Sequence, residues 1–302
     1  MSGDKNGAVM AFAGLTMRYG KTLAVDGVSL AVGRGEVYAL LGRNGSGKTS
    51  MIRCLLGQMK PSEGSASLFG KDAWKNRQEA MCKIGVVPET PDMPPSLTAK
   101  EIVSFSARLY PNWDGKGVTS RLSRFGVPVN VPFARLSRGQ KNQLALALAL
   151  APMPDLLVLD DPTLGLDVVA RKEFFEELVG DLADRGTTVF ISTHDLAGIE
   201  GIASRVGILK GGKLLMSEDM EELKSRFRSV RWAGESEPAS LAALSPVRVR
   251  RDAWGREAVV SAYTDEAFAH LAQDLAPARP KCDAVSLEDL FIAVAGEEGG
   301  QP

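Results

Sequence analysis

The chain has 302 residues, of which 44% are hydrophobic and 24% charged, and its formal net charge is −1. That is the composition of an ordinary globular protein, long enough for one large domain and a smaller one. The balanced charge gives no electrostatic reason to expect a nucleic-acid partner. The opening MSGDKNGAVMAFAG lacks the basic start and apolar core of a signal peptide. The apolar run near Leu144–Met153 is cut by Pro152 and reaches about half the ~20 residues a membrane-spanning helix needs.

Taken in chain order, EVYALL at 36–41 reads as an apolar strand, followed by a Gly-rich turn and then by MIRCLLG as a helix. Between roughly 96 and 150 the character turns helical, in SLTAKEIVSFSARLY and LSRGQKNQLALALAL, with PNWDG at 111–115 as a breaker. LLVLD at 156–160 and TVFIST at 188–193 are continuous apolar runs, the pattern of parallel strands buried on both faces. Strands alternating with helices predict an α/β domain whose ligand sits at the carboxyl ends of the strands.

After residue 228 the pattern changes again. PVRVRRDAWGREAVVSAY predicts two strands joined by a turn, and TDEAFAHLAQDLA a helix with Phe268, Leu271 and Leu275 on one face. SLEDLFIAVAG opens on a Ser286/Asp289 pair of capping-box type, and EEGGQP is read as a frayed tail. The expected division is 1–228 for the large domain, with a helical subdomain at about 96–150, and 229–302 for a small α+β accessory domain.

The chemistry begins at Gly42-Arg43-Asn44-Gly45-Ser46-Gly47-Lys48-Thr49, a G-x-x-x-x-G-K-[ST] phosphate loop between a strand and a helix. Gly42, Gly45 and Gly47 let backbone N–H groups converge on phosphate oxygens, Asn44 and Ser46 lie within the same turn, and Ser50 continues it. The helix that follows adds the positive end of its dipole. Lys48 supplies a point charge for the β- and γ-phosphates, and the Thr49 hydroxyl is a Mg²⁺ ligand. Downstream, Asp160 ends the LLVLD strand at the crevice, where a carboxylate suits Mg²⁺. Asp161 follows it and is placed to orient or deprotonate an attacking water. Cys54, Cys82 and Cys282 show no metal-type spacing and read as reduced thiols. With His194 and His270 the only histidines, a zinc site of His and Cys has little support.

From about residue 8 to 228 the sequence resembles the ABC ATPase family, a P-loop NTPase fold that binds ATP with Mg²⁺. Leu136-Ser137-Arg138-Gly139-Gln140 is similar to its LSGGQ signature, at the usual spacing ahead of Asp160. The resemblance implies that Ser137 and Gly139, with Gln140, serve the γ-phosphate of ATP held by a second subunit in a head-to-tail dimer. It matches Tyr19, upstream of the first strand, to the aromatic that stacks on adenine. It also matches Leu164-Gly165-Leu166-Asp167 to the D-loop, where Asp167 joins the subunits, and His194 to the switch histidine at the γ-phosphate. His270 is read as a solvated helix residue. Three positions depart from the family pattern. Asp161 stands for the catalytic glutamate, Glu89 for the Q-loop glutamine that ligates Mg²⁺ and senses the membrane partner, and Arg138 for a signature glycine.

LDDPTLGLDVVAR, YPNWD and VSLEDLFIAVAG are similar to ATPase subunits of ABC-2-type exporters. These pair with separately encoded membrane-spanning subunits on the inner face of the cell membrane. An importer ATPase would share every ATP motif. A non-transport ABC protein and a slow ATP switch are the other readings. A single nucleotide domain speaks against the tandem translation type, and no heptad insertion marks the DNA-repair type. The transported substrate is not legible in these residues.

Overall fold

In the computed structural model, which describes residues 7–196 and 198–296, the elements in chain order begin with β1 Ala8–Tyr19, β2 Thr22–Gly33, β3 Val37–Leu41, α1 Lys48–Leu55, β4 Glu63–Leu68, β5 Lys71–Asp72, α2 Arg77–Met81 and β6 Ile84–Val87. There follow α3 Ala99–Ser106, α4 Gly115–Arg124, α5 Arg138–Leu150, β7 Leu156–Asp160, α6 Val168–Arg185, β8 Thr188–Thr193, β9 Arg205–Lys210 and β10 Lys213–Asp219. The chain continues with α7 Met220–Arg226, β11 Arg228–Trp232, β12 Pro246–Asp252, β13 Gly255–Val260, α8 Asp265–Asp274, β14 Lys281–Ala284 and α9 Leu287–Ala295. The EEGGQP ending lies outside the described residues.

Every residue of β3, β7 and β8 is buried, which is why these strands read as unbroken hydrophobic runs. They sit in a six-stranded sheet of order β10-β9-β3-β8-β7-β6. The parallel register pairs Leu41 with Thr193 and Asp160 with Ser192. The phosphate loop, the Asp160–Asp161 pair and His194 therefore leave the sheet at one common edge, the carboxyl end.

A second sheet, of order β2-β1-β4-β5, was not legible as strands, because β1 and β2 neither form an unbroken apolar run nor alternate cleanly, their register shifting repeatedly along the pair. Residues 36–41, which the apolar pattern marks as the first strand, are preceded by two long antiparallel strands, and Tyr19 closes β1. Met51, Ile52, Cys54 and Leu55 of α1 join Phe12 and Leu15 of β1 and Tyr38 and Phe190 of the central sheet in one core. The Tyr38 and Phe190 rings stack at 5.8 Å, and the Phe12 ring meets Phe190 edge-on at 6.4 Å. Burial pushes the Cys54 thiol up to about 11, so it stays protonated.

Between β6 and β7 the chain runs through α3, α4 and α5. Each has a polar N-cap: Thr98 forms a capping box with Glu101, Asp114 accepts from the Gly117 N–H at 2.9 Å, and Ser137 forms a capping box with Gln140. A buried ion-pair cluster joins α4 to α6. Arg121 Nε donates to Glu177 at 2.6 Å, with Asp181 and Asp114 also within ion-pair reach of the guanidinium.

By contact density the chain divides into two units, 1–203 with 209–214, and 204–208 with 215–302. In the second, β11–β14 form an antiparallel sheet of order β12-β13-β11-β14. The two strands expected in PVRVRRDAWGREAVVSAY are β12 and β13; β11 pairs with β13 on its other side, and β14 lies beyond β11. Trp232, Leu244, Val260, Leu271 and Leu275 make the core of this unit, with Phe268 packed at its margin. Ser286 caps α9 by accepting from the Asp289 N–H at 3.1 Å, and His270 is exposed on α8.

Candidate nucleotide site

The phosphate loop turns sharply from β3 into α1. Gly47 sits at φ 111, and a Cβ there would lie 2.4 Å from the Ala24 carbonyl, so both the backbone angle and the space demand glycine. The helix begins at Lys48, earlier than the MIRCLLG reading, because no side chain is needed to cap a start built for an anion. A cleft of ≈ 470 Å³ opens over this turn. It is lined by Ala24, Asn44, Gly45, Ser46, Gly47, Lys48, Thr49, Ser50, Glu89, Asp161 and Leu164.

Lys48 is buried, and its ammonium donates to the carbonyls of Gly42 at 2.7 Å and Arg43 at 3.4 Å. Burial lowers its pKa, and the carboxylates of Asp161, Asp160 and Glu89 act in the opposite direction. The cleft thus holds a desolvated cation among carboxylates, aimed where phosphate charge would sit. Tyr19, half-exposed, reaches this region through its hydroxyl, which lies 3.3 Å from Ser50 Oγ and donates to Met59 Sδ at 3.1 Å.

Asp160 and Asp161 point to different tasks. Asp160 is buried and accepts a 2.6 Å hydrogen bond from Ser192 Oγ, its neighbour in the sheet register. Asp161 is buried too, but its backbone stands in the left-handed region at φ 47, rare for a residue with a Cβ. Its N–H donates to the Ser192 carbonyl at 2.8 Å, and its own carbonyl accepts from Leu164 N–H at 3.1 Å. That twist turns the Asp161 carboxylate to His194, where Oδ1 lies 2.7 Å from Nδ1 and 3.2 Å from the backbone N–H. The imidazole remains nearly half exposed.

The structure therefore brings Lys48, Thr49, Ser50, Glu89 and Asp161 into one cleft, with His194 bonded to Asp161. Ser137, Gly139 and Gln140 stand elsewhere, at the N-terminus of α5, where Ser137 Oγ accepts from Gln140 N–H at 3.2 Å and Gln140 Oε1 accepts from Ser137 N–H at 3.0 Å. Asp167 caps α6 by accepting from Ala170 N–H at 2.8 Å. Sequence reasoning missed the residues that hold these groups. Ser192 fixes Asp160. Asp195, bonded by Thr163 Oγ1 at 3.2 Å and paired with Arg171 at 3.1 Å, ties the segment after β8 to α6. The only signal for them was adjacency to motif residues, in the Ser192-Thr193-His194-Asp195 and Pro162-Thr163 stretches.

Residues 25–164 match the family model of the ABC transporter. The chain is 38% identical over 217 residues to the bacitracin transport ATP-binding protein BcrA of Bacillus licheniformis, covering 71% of either chain. It is 30% identical over 313 residues to the Nod factor export ATP-binding protein I of Ralstonia nicotianae, covering 96% of this chain and 94% of the relative. Among solved structures it resembles the dimeric bacterial ABC transporter cassette MJ0796 with a TM-score of 0.63 at 27% identity, over 70% of this chain and 98% of that one. The same cassette is also known in a post-hydrolysis state bound to ADP and Pi. With a phosphate loop, a strand-end aspartate pair and a histidine converging at one sheet edge, this chain belongs to the ABC transporter family as an ATP-binding, ATP-hydrolysing subunit.

Proposed function

We propose that the chain is the ATPase of an ABC-2-type exporter, working as a head-to-tail dimer against separately encoded membrane-spanning subunits on the inner face of the cell membrane. The observation that carries the export reading is the match along 96% of the chain to a protein named for Nod factor export. Ser137, Gly139 and Gln140 are absent from the lining of the Lys48 cleft, which supports their serving ATP held by a second subunit. Asp167, exposed ahead of α6, is the proposed subunit-joining residue.

In this reading Tyr19 meets the adenine, and Lys48 with the amides of residues 44–50 holds the β- and γ-phosphates. A water oxygen bonds to the γ-phosphorus while the bond to the bridging oxygen breaks. ADP leaves with that electron pair, and Asp161 takes the water's proton. His194 holds Asp161 through Nδ1 and keeps its second ring nitrogen for the γ-phosphate. Thr49, Asp160 and Glu89 are oxygen donors that fit Mg²⁺, which takes one or two carboxylates and completes its shell with phosphate and water. When bound, it would neutralise phosphate charge.

The membrane partner has a proposed seat. A groove of ≈ 270 Å³ is lined by Met81, Pro88, Pro91, Met93, Tyr110 and Leu148, among others. Glu89, inside the same 88–93 segment, lines the ATP cleft, so one short loop borders both cavities. A membrane-subunit helix seated in the groove would feel any movement of that loop when the γ-phosphate arrives or leaves. Among the described residues no helix is long and apolar enough to cross a membrane.

The test is to tag the chain, extract it from native membranes in mild detergent and identify what co-purifies, with Lys48→Ala in parallel. Recovery with a multi-spanning membrane protein supports the exporter. Recovery only from the soluble fraction, for both forms, refutes it and leaves the ATP chemistry intact.

A further inference from the structure

The first two turns of α5 carry the signature residues at their start, and one face of them packs on the loop that leaves β7. Arg138 lies flat over Gly165: a Cβ on that glycine, which sits at φ +80, would be 2.6 Å from Arg138 Cδ. Gly139 faces Leu166. One turn on, Asn142 is fully buried, and its Nδ2 donates to the Pro162 carbonyl at 2.9 Å. These positions fall on a common helical face. The loop they touch is the one on which Asp161 is twisted into the left-handed region.

Asn142 is an uneconomical choice for filling space. Its Oδ1 is buried without a hydrogen-bond partner among the described residues, which an apolar side chain of similar size would avoid. What an apolar side chain cannot supply is the N–H donated to Pro162. Proline has a fixed φ and no N–H, so the direction of its carbonyl is set by one torsion, and the Asn142 bond sets it. That carbonyl belongs to the residue next to Asp161, whose N–H and carbonyl are already held by Ser192 and Leu164. With the third bond in place, the turn has little freedom left to let Asp161 relax away from His194.

We propose that Asn142 is a positioning residue for ATP hydrolysis: through Pro162 it holds the Asp161 carboxylate in its working orientation, so the helix that carries Ser137 also sets the water-activating group of its own subunit. The proposal rests on Asp161 being that group. Because Ser137 is read as touching ATP in the other site, it also provides a rigid path between the two sites that runs within one helix.

The test uses the full-length chain with Asn142→Leu, close in size but without the donor, Asn142→Gln, which keeps an amide N–H, and Asp161→Asn. Single-turnover hydrolysis is measured alongside the Kd for ATP. Asn142→Leu is expected to slow hydrolysis by about tenfold or more, the scale of losing correct alignment of a general base, while Kd stays within about twofold. Asn142→Gln is expected to recover most of the rate. In the Asp161→Asn background, Asn142→Leu should have no further effect, since its route is already cut. Should the leucine form not fold, Asn142→Ser takes its place as the donor-weakened variant. A folded leucine or serine form that hydrolyses at the wild-type rate, while Asp161→Asn is slow, overturns the proposal alone. Hydrolysis rate and ATP-binding capacity falling together, in step with the folded fraction, assigns Asn142 a merely structural role and also overturns it. Asp161→Asn hydrolysing at the wild-type rate removes the reading of Asp161, and the proposal with it.

Discussion

Asp161 stands where the resemblance to the ABC ATPase pattern leads one to expect glutamate, and the structure turns that difference into a quantity. Its Oδ1 lies 2.7 Å from His194 Nδ1, while its Cα is pinned by backbone bonds of 2.8 Å to Ser192 and 3.1 Å from Leu164. Asp161→Glu inserts one C–C bond of about 1.5 Å. From the same backbone orientation that the loop fixes, the longer carboxylate can reach about that length farther into the ≈ 470 Å³ cleft, toward the γ-phosphate. A misplacement of about 1 Å costs on the order of 10²-fold in rate. Recovering even half of that barrier means about a tenfold gain, or roughly 1.4 kcal/mol. The charge-assisted bond to His194 is lost in exchange, at about 1.5–3 kcal/mol. The glutamate variant should therefore hydrolyse about tenfold faster yet melt a few degrees lower. The assay is single-turnover release of inorganic phosphate with enzyme in excess. Asp161→Asn is the reference and should lose about 10²–10⁴-fold. A glutamate variant slowed tenfold would falsify the argument, because it would show that the aspartate's reach is already correct.

Four further outcomes follow from the same geometry. Lys48→Ala removes a buried cation from the phosphate seat and should weaken ATP binding by about 10–100-fold, read by titration calorimetry; unchanged affinity would mean the loop amides suffice. Ser137→Ala should cost about 1 kcal/mol of stability as a lost cap and leave ATP binding by the isolated chain unaltered, while lowering hydrolysis in the dimer; weaker binding at high dilution would place Ser137 in its own subunit's site instead. Arg121→Ala removes the most buried cation of the α4–α6 cluster but leaves Glu177 paired with Arg124 and Asp181 with Arg185, so urea unfolding should report a loss of about 1–3 kcal/mol; a loss of about 4 kcal/mol or more would mean that these second partners do not compensate the carboxylates. The pKa of Asp114 is lowered first by the Gly117 N–H and then by Arg121 and Arg185, against a raising contribution from partial burial. Its contribution is thus present above the ordinary value of 3.8 and lost as pH falls through the lower folded value. Asp114→Asn should flatten that acid limb in unfolding curves taken below pH ~4, and an unchanged limb would clear Asp114 of the role.

The phosphate loop, the aspartate pair and His194 were legible in the sequence for a local reason. Each follows directly on a strand whose burial on both faces writes itself as an unbroken apolar run, so the run locates the strand end and the strand end locates the chemistry. Helix starts were legible in the same way at Ser137 and Ser286, since capping is satisfied within four residues. The strands β1 and β2 were not, because their burial neither runs unbroken nor alternates cleanly, and the shifts in their register are set by packing rather than by the local residues.

What tertiary structure alone decided is how the groups face one another. The sequence places Asp161 after Asp160, but only the packed loop, held by Ser192, Leu164 and Asn142, twists its backbone to φ 47 and sends the two carboxylates in different directions. The spacing of Lys48 and Ser137 says nothing of separation in space; the fold puts one in the cleft and the other outside it. Local chemistry is written in neighbouring residues, whereas orientation is a sum of contacts among residues far apart in the chain, and no short stretch of sequence contains that sum.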